Sequence, residues 1–230
     1  MDLFQVMRTA FACRDFQDEI ITDEVLHRIL DQARFAPSGG NRQASHVIVV
    51  KDRDIKNKLG ELCKTTLSIY AAQRAVDEVP FNTVNISSVD PGGNHPDSKY
   101  EFPLFDNLRE VPALLVVSVD LAQVASMDKD LDRIGLATGA SVYPLVWNII
   151  LAARNEGLGG VITTALIPKE VEALKILGLP ESHAIAAMIP MGKPKKQLSV
   201  LRRNEVEEFV TVDSYLGDSF GKGFVNELED

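Results

Sequence analysis

The sequence predicts a protein of mixed α/β or α+β class with one main domain. Short apolar runs with the length of buried strands alternate with longer segments in which apolar residues recur every three or four positions. At 230 residues and 45% hydrophobic composition, the chain is long enough to bury one substantial core. We expect one domain over residues 1–230, ending in a patterned C-terminal arm at 195–230.

The N-terminal part is predicted to contain three helices and one strand. The apolar residues at 3, 4, 7 and 11 fall on one helical stripe. A second helix begins after Thr22, an N-cap residue followed by two acids, and ends before Pro37. A strand at 46–51 and a helix at about 55–74 follow.

The segment 79–103 fits neither helix nor strand. Prolines, asparagines and glycines interrupt it throughout. Irregular chain of this length in a compact protein is usually functional or mobile. We therefore expect a lid or an excursion that borders a substrate pocket.

The C-terminal part is predicted to contain a strand at 113–119, a long helix at about 132–156, a strand at 161–166, a helix after Pro168 and a strand at 184–191. The long helix is apolar on nearly every side between Ser141 and Ala152. A helix without a polar face is usually buried, either by its own fold or by a partner subunit.

Charge and composition limit the classes of function. The net charge of −9 argues against nucleic-acid binding, which needs a basic patch. No apolar run approaches the roughly 20 residues of a membrane span, and the first residues lack the features of a signal peptide. Cys13 and Cys63 lack metal or disulfide spacing, so we expect a reducing, cytoplasmic environment.

The most informative segment is the loop at 36–43, which reads Ala-Pro-Ser-Gly-Gly-Asn-Arg-Gln. Its two glycines allow the backbone to lie flat against a planar ligand, because they carry no Cβ. Ser38, Asn41 and Gln43 supply hydroxyl and amide groups for heteroatoms at a ring edge. The alternative is an ordinary connection between a helix and a strand.

Other candidate residues are ambiguous one by one. Arginines near both ends of the chain suit a phosphate, which the planar guanidinium binds with two hydrogen bonds, but they also suit a solvated surface; they are Arg8, Arg14, Arg202 and Arg203. Gly159 and Gly160 suit either a helix stop or a cofactor contact. Thr163 and Thr164 suit either a β-strand or hydrogen-bond donation to a ligand.

Other chemistries find little support in the sequence. The four histidines lack metal-ligand spacing, and no nucleophile motif is present, so no metal site is expected. Residues 128–132 are similar to a calcium loop, but Arg133 replaces the glycine that such a loop needs, so we expect an exposed helix start. The glycines at 157–160 follow a helix rather than a strand, which argues against a Rossmann NAD site.

Together these motifs resemble the FMN-dependent nitroreductases over nearly the whole chain. The resemblance rests on the loop 36–43, the first motif from Thr9 to Phe16, the segment 139–144, the glycine turn at 157–160 and Arg203. It implies an α+β fold with a central mixed or antiparallel sheet flanked by helices. It also implies a homodimer formed through the long central helix, with a C-terminal extension that wraps the partner.

The resemblance also implies roles for individual residues. Arg14 and Arg203, with help from Arg202, would hold the FMN phosphate from one subunit. Pro37, Ser38, Gly39, Asn41 and Gln43 would approach the flavin from the other subunit. Gly160, Thr163 and Thr164 would lie along the isoalloxazine edge, where backbone N–H groups stabilise negative charge on the reduced ring.

Two departures from the family pattern concern the substrate pocket and the phosphate. Ala10 and Phe11 stand where many members carry arginines, so one phosphate contact is missing unless Arg8 supplies it. Ala44 and Ser45 replace a common Pro-Trp, so an aromatic wall of the pocket is lost.

The implied activity is hydride transfer in two half-reactions, first from NADH or NADPH and then to a nitroaromatic, quinone or related electron-poor small molecule. Two alternatives stay open. One keeps the fold and flavin but changes the chemistry to reductive dehalogenation or to oxidation of a flavin or peptide. The other is a flavin-binding protein without enzymatic activity.

Overall fold

The computed structural model describes residues 1–93 and 101–221. The chain divides into two compact units, Met1–Gln197 and Leu198–Asp230. Parts of two sequence expectations, residues 94–100 of the predicted lid and 222–230 of the predicted arm, lie outside the described residues. A single domain over 1–230 therefore stays a prediction.

The first unit contains an antiparallel sheet with helices packed on both faces. Its helices are α1 (Leu3–Thr9), α2 (Asp23–Ala33), α3 (Arg53–Ala75), α4 (Pro103–Asp106), α5 (Tyr143–Asn155) and α6 (Glu170–Leu177). Its strands are β1 (Ser45–Val50), β2 (Ala113–Asp120), β3 (Gly159–Gly160) and β4 (His183–Gly192). In the second unit, α7 (Val206–Phe209) is followed by a β-bridge between Thr211 and Ser219.

The strand order is β1-β2-β4-β3, and every neighbouring pair is antiparallel. At one end of the sheet Ser45 pairs with Val119, which pairs with Ala184. At the other end Ala113 pairs with Met191, which pairs with Gly160. The first residue of β1 and the last residue of β3 therefore lie at diagonally opposite corners.

Strand β2 separates two hydrophobic cores, because successive side chains of a strand point to opposite faces. Leu115 and Val117 pack with α2 and α5, whereas Leu114 and Val116 pack with α3 and α6. Both faces of the strand are buried. The burial of both faces explains the continuous apolar sequence of β2. The antiparallel sheet with its flanking helices confirms the α+β fold class predicted from the sequence.

The predicted long helix at 132–156 is too long, because α5 begins only at Tyr143. Pro144 lies in its first turn, a position that proline tolerates at a helix start. A separate 3-10 helix, Ala137–Ser141, precedes it. Asp128 is buried within a turn and is not part of an exposed helix start as predicted.

The predicted strand at 161–166 is also wrong. Gly157, at φ 81°, closes α5, and the strand residues are Gly159 and Gly160. Beyond them the chain follows β4 only as far as the single bridge between Thr163 and Met188. A turn then leads into the 3-10 helix Ile167–Lys169, so regular pairing ends.

The apolar stripe of α1 faces outward. Val6 is the buried residue of this helix, whereas Leu3, Phe4 and Met7 are all exposed. On α5, Val146 and Ile149 are fully buried, while Trp147 on another face is 41% exposed. Helix α1 packs against α5, and each of the two helices exposes apolar side chains.

Candidate active site

The loop at 37–43 holds a tight, largely exposed conformation. Gly40, Asn41 and Gln43 all adopt left-handed φ values between 51° and 61°. Glycine enters this region without a steric cost, and asparagine tolerates it better than most residues. The backbone N–H of Gln43 donates to Ser38 Oγ at 3.0 Å, which closes the loop. The side chains of Pro37, Asn41 and Gln43 remain exposed.

Two hydrogen bonds connect this loop to the segment between β2 and α5. The Gly39 N–H donates to Ser141 Oγ at 3.0 Å, and the Arg42 guanidinium donates to the Gln123 carbonyl at 3.1 Å. A cavity of about 300 Å³ lies beside the loop, and Pro37, Ser38, Gln43 and Ser141 line it. Polar groups and apolar side chains thus meet in a recess beside the loop.

A second group of candidate residues lies along β3 and the segment that follows it. The N–H groups of Val161 and Thr163 donate to carbonyls of β4, at 3.2 and 2.9 Å. In antiparallel pairing the intervening amides point away from the neighbouring strand. The amide between them belongs to Ile162, and the amide that follows the last paired residue belongs to Thr164; within 1–93 and 101–221 neither has a hydrogen-bond acceptor.

Close packing at β3 requires glycine. A Cβ on Gly159 would lie 2.8 Å from the Cβ of Cys13, and one on Gly160 would lie 3.1 Å from the Pro190 carbonyl oxygen. The Cys13 N–H donates to the Gly160 carbonyl at 3.0 Å, so the N-terminal segment runs directly beside β3. The two glycines are therefore strand residues rather than the helix stop that one interpretation of the sequence favoured.

Arg14 immediately follows this contact. Its side chain is exposed, and within the described part of the chain its guanidinium donates only to the nearby Ala12 carbonyl, at 3.2 Å. It lines a cavity of about 790 Å³ together with Phe16, Phe105 and Lys195. Lys195 forms an ion pair with Asp15 at 2.8 Å. Arg8, the substitute considered for the missing arginine, does not line this cavity.

Arg202 and Arg203 belong to the second unit, and both side chains are exposed. The Arg203 guanidinium donates to the carbonyl of Arg202 at 2.6 Å. Their predicted role in holding a phosphate stays a prediction.

Within the first unit the candidate residues form two groups, at opposite ends of α5. Ser141 holds the loop just before the first residue of this helix, and Gly159 lies four residues after its last. A helix of 13 residues is about 20 Å long at 1.5 Å per residue. Ser45, which follows the loop, and Gly160 also lie at diagonally opposite corners of the sheet.

Sequence reasoning missed two residues of these cavities, Ser141 and Lys195. Ser141 lay in a segment that carried the family resemblance, but only the fold brings its hydroxyl to Gly39. Lys195 follows β4 in sequence. Its backbone N–H donates to the Asp15 carbonyl, and this bond brings it beside the first motif. Neither contact has a local sequence signal.

The thiols are poor candidates for nucleophiles. Cys13 and Cys63 are both buried, and both are free thiols. Burial raises the pKa of the Cys13 thiol, and it raises the pKa of Cys63 to about 12. Both are therefore protonated at neutral pH.

The described part of the chain offers neither a metal site nor a membrane-spanning helix. Among residues 1–93 and 101–221, no three histidine, cysteine or acidic side chains are grouped so that they could hold a metal ion. In the same residues no helix is both long and apolar enough to cross a membrane.

Comparison with known proteins identifies the family. The sequence profile of the Nitroreductase family matches residues 7–193, so this chain belongs to that family. It is 28% identical over 184 residues to an NADH dehydrogenase of Thermus thermophilus, a match that covers 80% of this chain and 82% of the relative.

Two solved structures share the fold. The structure of oxidized iodotyrosine deiodinase bound to FMN and 3-iodo-L-tyrosine has a TM-score of 0.67 and 24% identity, and the match covers 93% of this chain and all of that one. The NADPH:FMN oxidoreductase from Vibrio harveyi complexed with NAD⁺ has a TM-score of 0.66 and 19% identity, covering 92% of this chain and 77% of that one.

Proposed function

We propose that this protein is an FMN-dependent NAD(P)H oxidoreductase that reduces nitroaromatic, quinone or related electron-poor acceptors. The observation that carries the proposal is the pair of outward-facing amides of Ile162 and Thr164, beside a glycine strand, in a chain of the nitroreductase family. The names of the Thermus and Vibrio proteins, with their nicotinamide nucleotides and FMN, support the same cofactors here.

The donor groups suit FMN. The exposed guanidinium of Arg14 can bind a phosphate with two hydrogen bonds, and Arg202 and Arg203 are proposed to assist it. The amides of Ile162 and Thr164 have no acceptor among the described residues, and the polar groups of Ser38, Asn41 and Gln43 can bind heteroatoms at a ring edge. Gly160, Thr163 and Thr164 would supply the backbone along that edge.

When bound, FMN supplies the hydride chemistry, accepting two electrons and a proton from NAD(P)H and passing them to the acceptor. The contribution of the chain is to orient the ring and to stabilise its charge. The amides of Ile162 and Thr164 flank Thr163, whose backbone pairs with Met188 of β4, so they would stabilise developing negative charge with little reorganisation.

We further propose that the site is shared between two copies of the chain. Ser38 and Gly160 lie near opposite ends of α5, so they reach one cofactor when each comes from a different subunit. The exposed apolar residues of α1 and α5 supply a surface for such a homodimer. The two free, buried cysteines suit the cytoplasmic location that we propose.

Turnover assays test the proposed activity. With FMN-loaded protein, oxidation of NADH or NADPH should accelerate when a nitroaromatic or a quinone is added. The same assay with 3-iodo-L-tyrosine examines dehalogenation. Turnover only with the iodinated phenol would replace the proposed activity by reductive dehalogenation. A flavin-loaded protein that oxidises neither nucleotide would remove the proposed reductase activity.

Complementation tests the shared site. Arg14→Ala and Arg14→Gln each alter one proposed half of the site. Ser38→Ala with Asn41→Ala alters the other half. Mixed dimers of an Arg14→Ala chain with a Ser38→Ala/Asn41→Ala chain should regain FMN binding at one site per dimer. Mixed dimers of an Arg14→Ala chain with an Arg14→Gln chain should not. Equal recovery in both mixtures would contradict a shared site.

A further inference from the structure

The segment between β2 and α5 is organised around one buried carboxylate. Asp128 accepts hydrogen bonds from the N–H of Leu136 at 2.6 Å and from the N–H of Ala137 at 3.2 Å. The guanidinium of Arg133 donates to the same carboxylate at 2.9 Å. These contacts fix the entry to the 3-10 helix Ala137–Ser141.

That 3-10 helix carries the hydroxyl that holds the loop. Ser141 Oγ accepts from the Gly39 N–H, and a Cβ at Gly39 would lie 3.2 Å from the same oxygen, so the contact is close. The same segment also reaches the loop through the Gln123 carbonyl, which accepts from Arg42, and through Ala125, which packs at Gly39.

From these contacts we propose that Asp128 and Ser141 are positioning residues for flavin binding, although neither needs to touch the flavin. Asp128 fixes the 3-10 helix, Ser141 fixes Gly39, and the loop presents Pro37, Ser38 and Asn41 in the conformation that binds the ring. This inference rests on the proposed function, because it assumes that the loop contacts a flavin.

The geometry explains why such support is needed. Three loop residues hold positive φ values, and two of them, Asn41 and Gln43, are not glycine. Non-glycine residues in this region carry a conformational cost that surrounding contacts must offset. The loop is exposed, and its internal hydrogen bonds include those from the Asn41 N–H to the Ser38 carbonyl at 2.8 Å and from the Gln43 N–H to Ser38 Oγ at 3.0 Å. The bonds to the β2–α5 segment add support from outside the loop.

The test compares binding of FMN and riboflavin to the full-length apoprotein. Ser141→Ala removes the acceptor of the Gly39 N–H and should raise the Kd by about 3- to 10-fold, since one such hydrogen bond is worth about 1 kcal/mol. The factor should be the same for FMN and riboflavin, because the loop is proposed to contact the ring. Ser141→Thr keeps the hydroxyl and should restore most of the affinity.

Three measurements separate positioning from general destabilisation. Ser68→Ala removes a similarly half-buried hydroxyl, which donates to Thr65 in α3, and should leave both Kd values unchanged. The Tm of the apoprotein should be the same for Ser141→Ala and Ser68→Ala. Amide hydrogen exchange of the segment 39–43 should accelerate in Ser141→Ala alone. Asp128→Asn should reproduce the faster exchange and the weaker binding of both flavins.

The outcomes are distinguishable. If the wild-type protein binds neither FMN nor riboflavin, the proposed function fails and this inference fails with it. If the wild type binds FMN and Ser141→Ala binds both flavins as tightly, the positioning role is wrong while the proposed function stands. Faster exchange with unchanged Kd values would also overturn the positioning role, since the loop would then be held without serving the cofactor.

Discussion

Arg14 follows the point at which the N-terminal segment pairs with Gly160, so this backbone pairing determines the position from which the Arg14 side chain extends. Its guanidinium donates to the local Ala12 carbonyl, and its side chain lines a cavity of about 790 Å³. Lys195 in the same cavity is already paired with Asp15. Among the cations that line this cavity, Arg14 is thus the better candidate for a phosphate.

Arg14→Gln is expected to raise the Kd for FMN by about 10- to 100-fold, because a hydrogen bond to a charged group contributes about 1.5–3 kcal/mol. Riboflavin, which lacks the phosphate, should bind with unchanged affinity. Fluorescence titration of the apoprotein measures both constants. Arg8→Gln serves as the matched control and should leave FMN affinity intact. An equal loss of affinity for FMN and riboflavin would show that Arg14 does not bind the phosphate.

Gly192 faces the first motif at the end of β4. A Cβ at this position would lie 2.8 Å from the Cβ of Phe16, so the substitution forces the chain apart. Gly192→Ala should lower the free energy of unfolding by about 1–3 kcal/mol, as overpacking usually does. Urea denaturation measures the loss. Gly92→Ala, where the nearest atom would be 3.6 Å away, should change stability little, and equal losses would refute the steric explanation.

At the scale of elements, the sequence predicted those parts of the fold that local signals encode. Helices α2 and α3 and the long strands follow from apolar periodicity, the N-cap Thr22 and the stop before Pro37. The start of α5 could not be predicted in this way. The Asp128 carboxylate accepts from backbone N–H groups eight and nine residues further along the chain, and these bonds hold the preceding segment in a turn. Local helix propensity carries no signal for such a contact.

The candidate site was predictable to the same extent. The loop 37–43 and the glycines at 159–160 are recognisable from their residue types. The contribution of Ser141 depends on a hydrogen bond across 102 residues, and the outward amides depend on pairing with β4. Short-range patterns could not reveal either of them, since both are produced by tertiary contacts.

The Asp128 turn has a pH dependence with a definite sign. The Leu136 N–H and the Arg133 guanidinium lower the pKa of Asp128 below its usual value. A lowered folded-state pKa stabilises the fold above the unfolded value of about 3.9, and this stabilisation is lost as the pH falls through the folded value.

Asp128→Asn should therefore be less stable than the wild type at neutral pH, and the difference should narrow below about pH 3.9. Urea midpoints of both proteins between pH 7 and pH 3 provide the measurement. Asp18→Asn, which changes an exposed acid outside the turn, is the matched control. A difference between Asp128→Asn and wild type that is constant with pH would contradict the role of the carboxylate charge.

At the scale of the whole molecule, the exposed apolar residues of α1 and α5 fit a permanent contact between copies. Phe4 is 69% exposed and Trp147 is 41% exposed, although both belong to helices that pack on each other. Large exposed apolar patches usually mark interaction sites. The two separated halves of the proposed site require the same contact between copies.

Trp147→Glu is expected to convert a dimer into a monomer at micromolar concentration and to abolish FMN retention. A charge in the centre of an apolar interface is left without a partner, which disfavours association. Light scattering measures the mass, and the visible spectrum measures the flavin. Val171→Glu places the same charge on an exposed apolar residue of α6 and should leave the dimer intact. A flavin-loaded monomer would contradict the shared site.

An anaerobic spectral titration of the purified protein tests the proposed flavin chemistry most directly. We expect a yellow, FMN-containing protein that NADH or NADPH bleaches, and that regains its colour when a nitroaromatic or a quinone is added. A yellow protein that neither nucleotide bleaches would contradict the proposed reductase activity. A colourless protein that does not bind added FMN would contradict the flavin site itself.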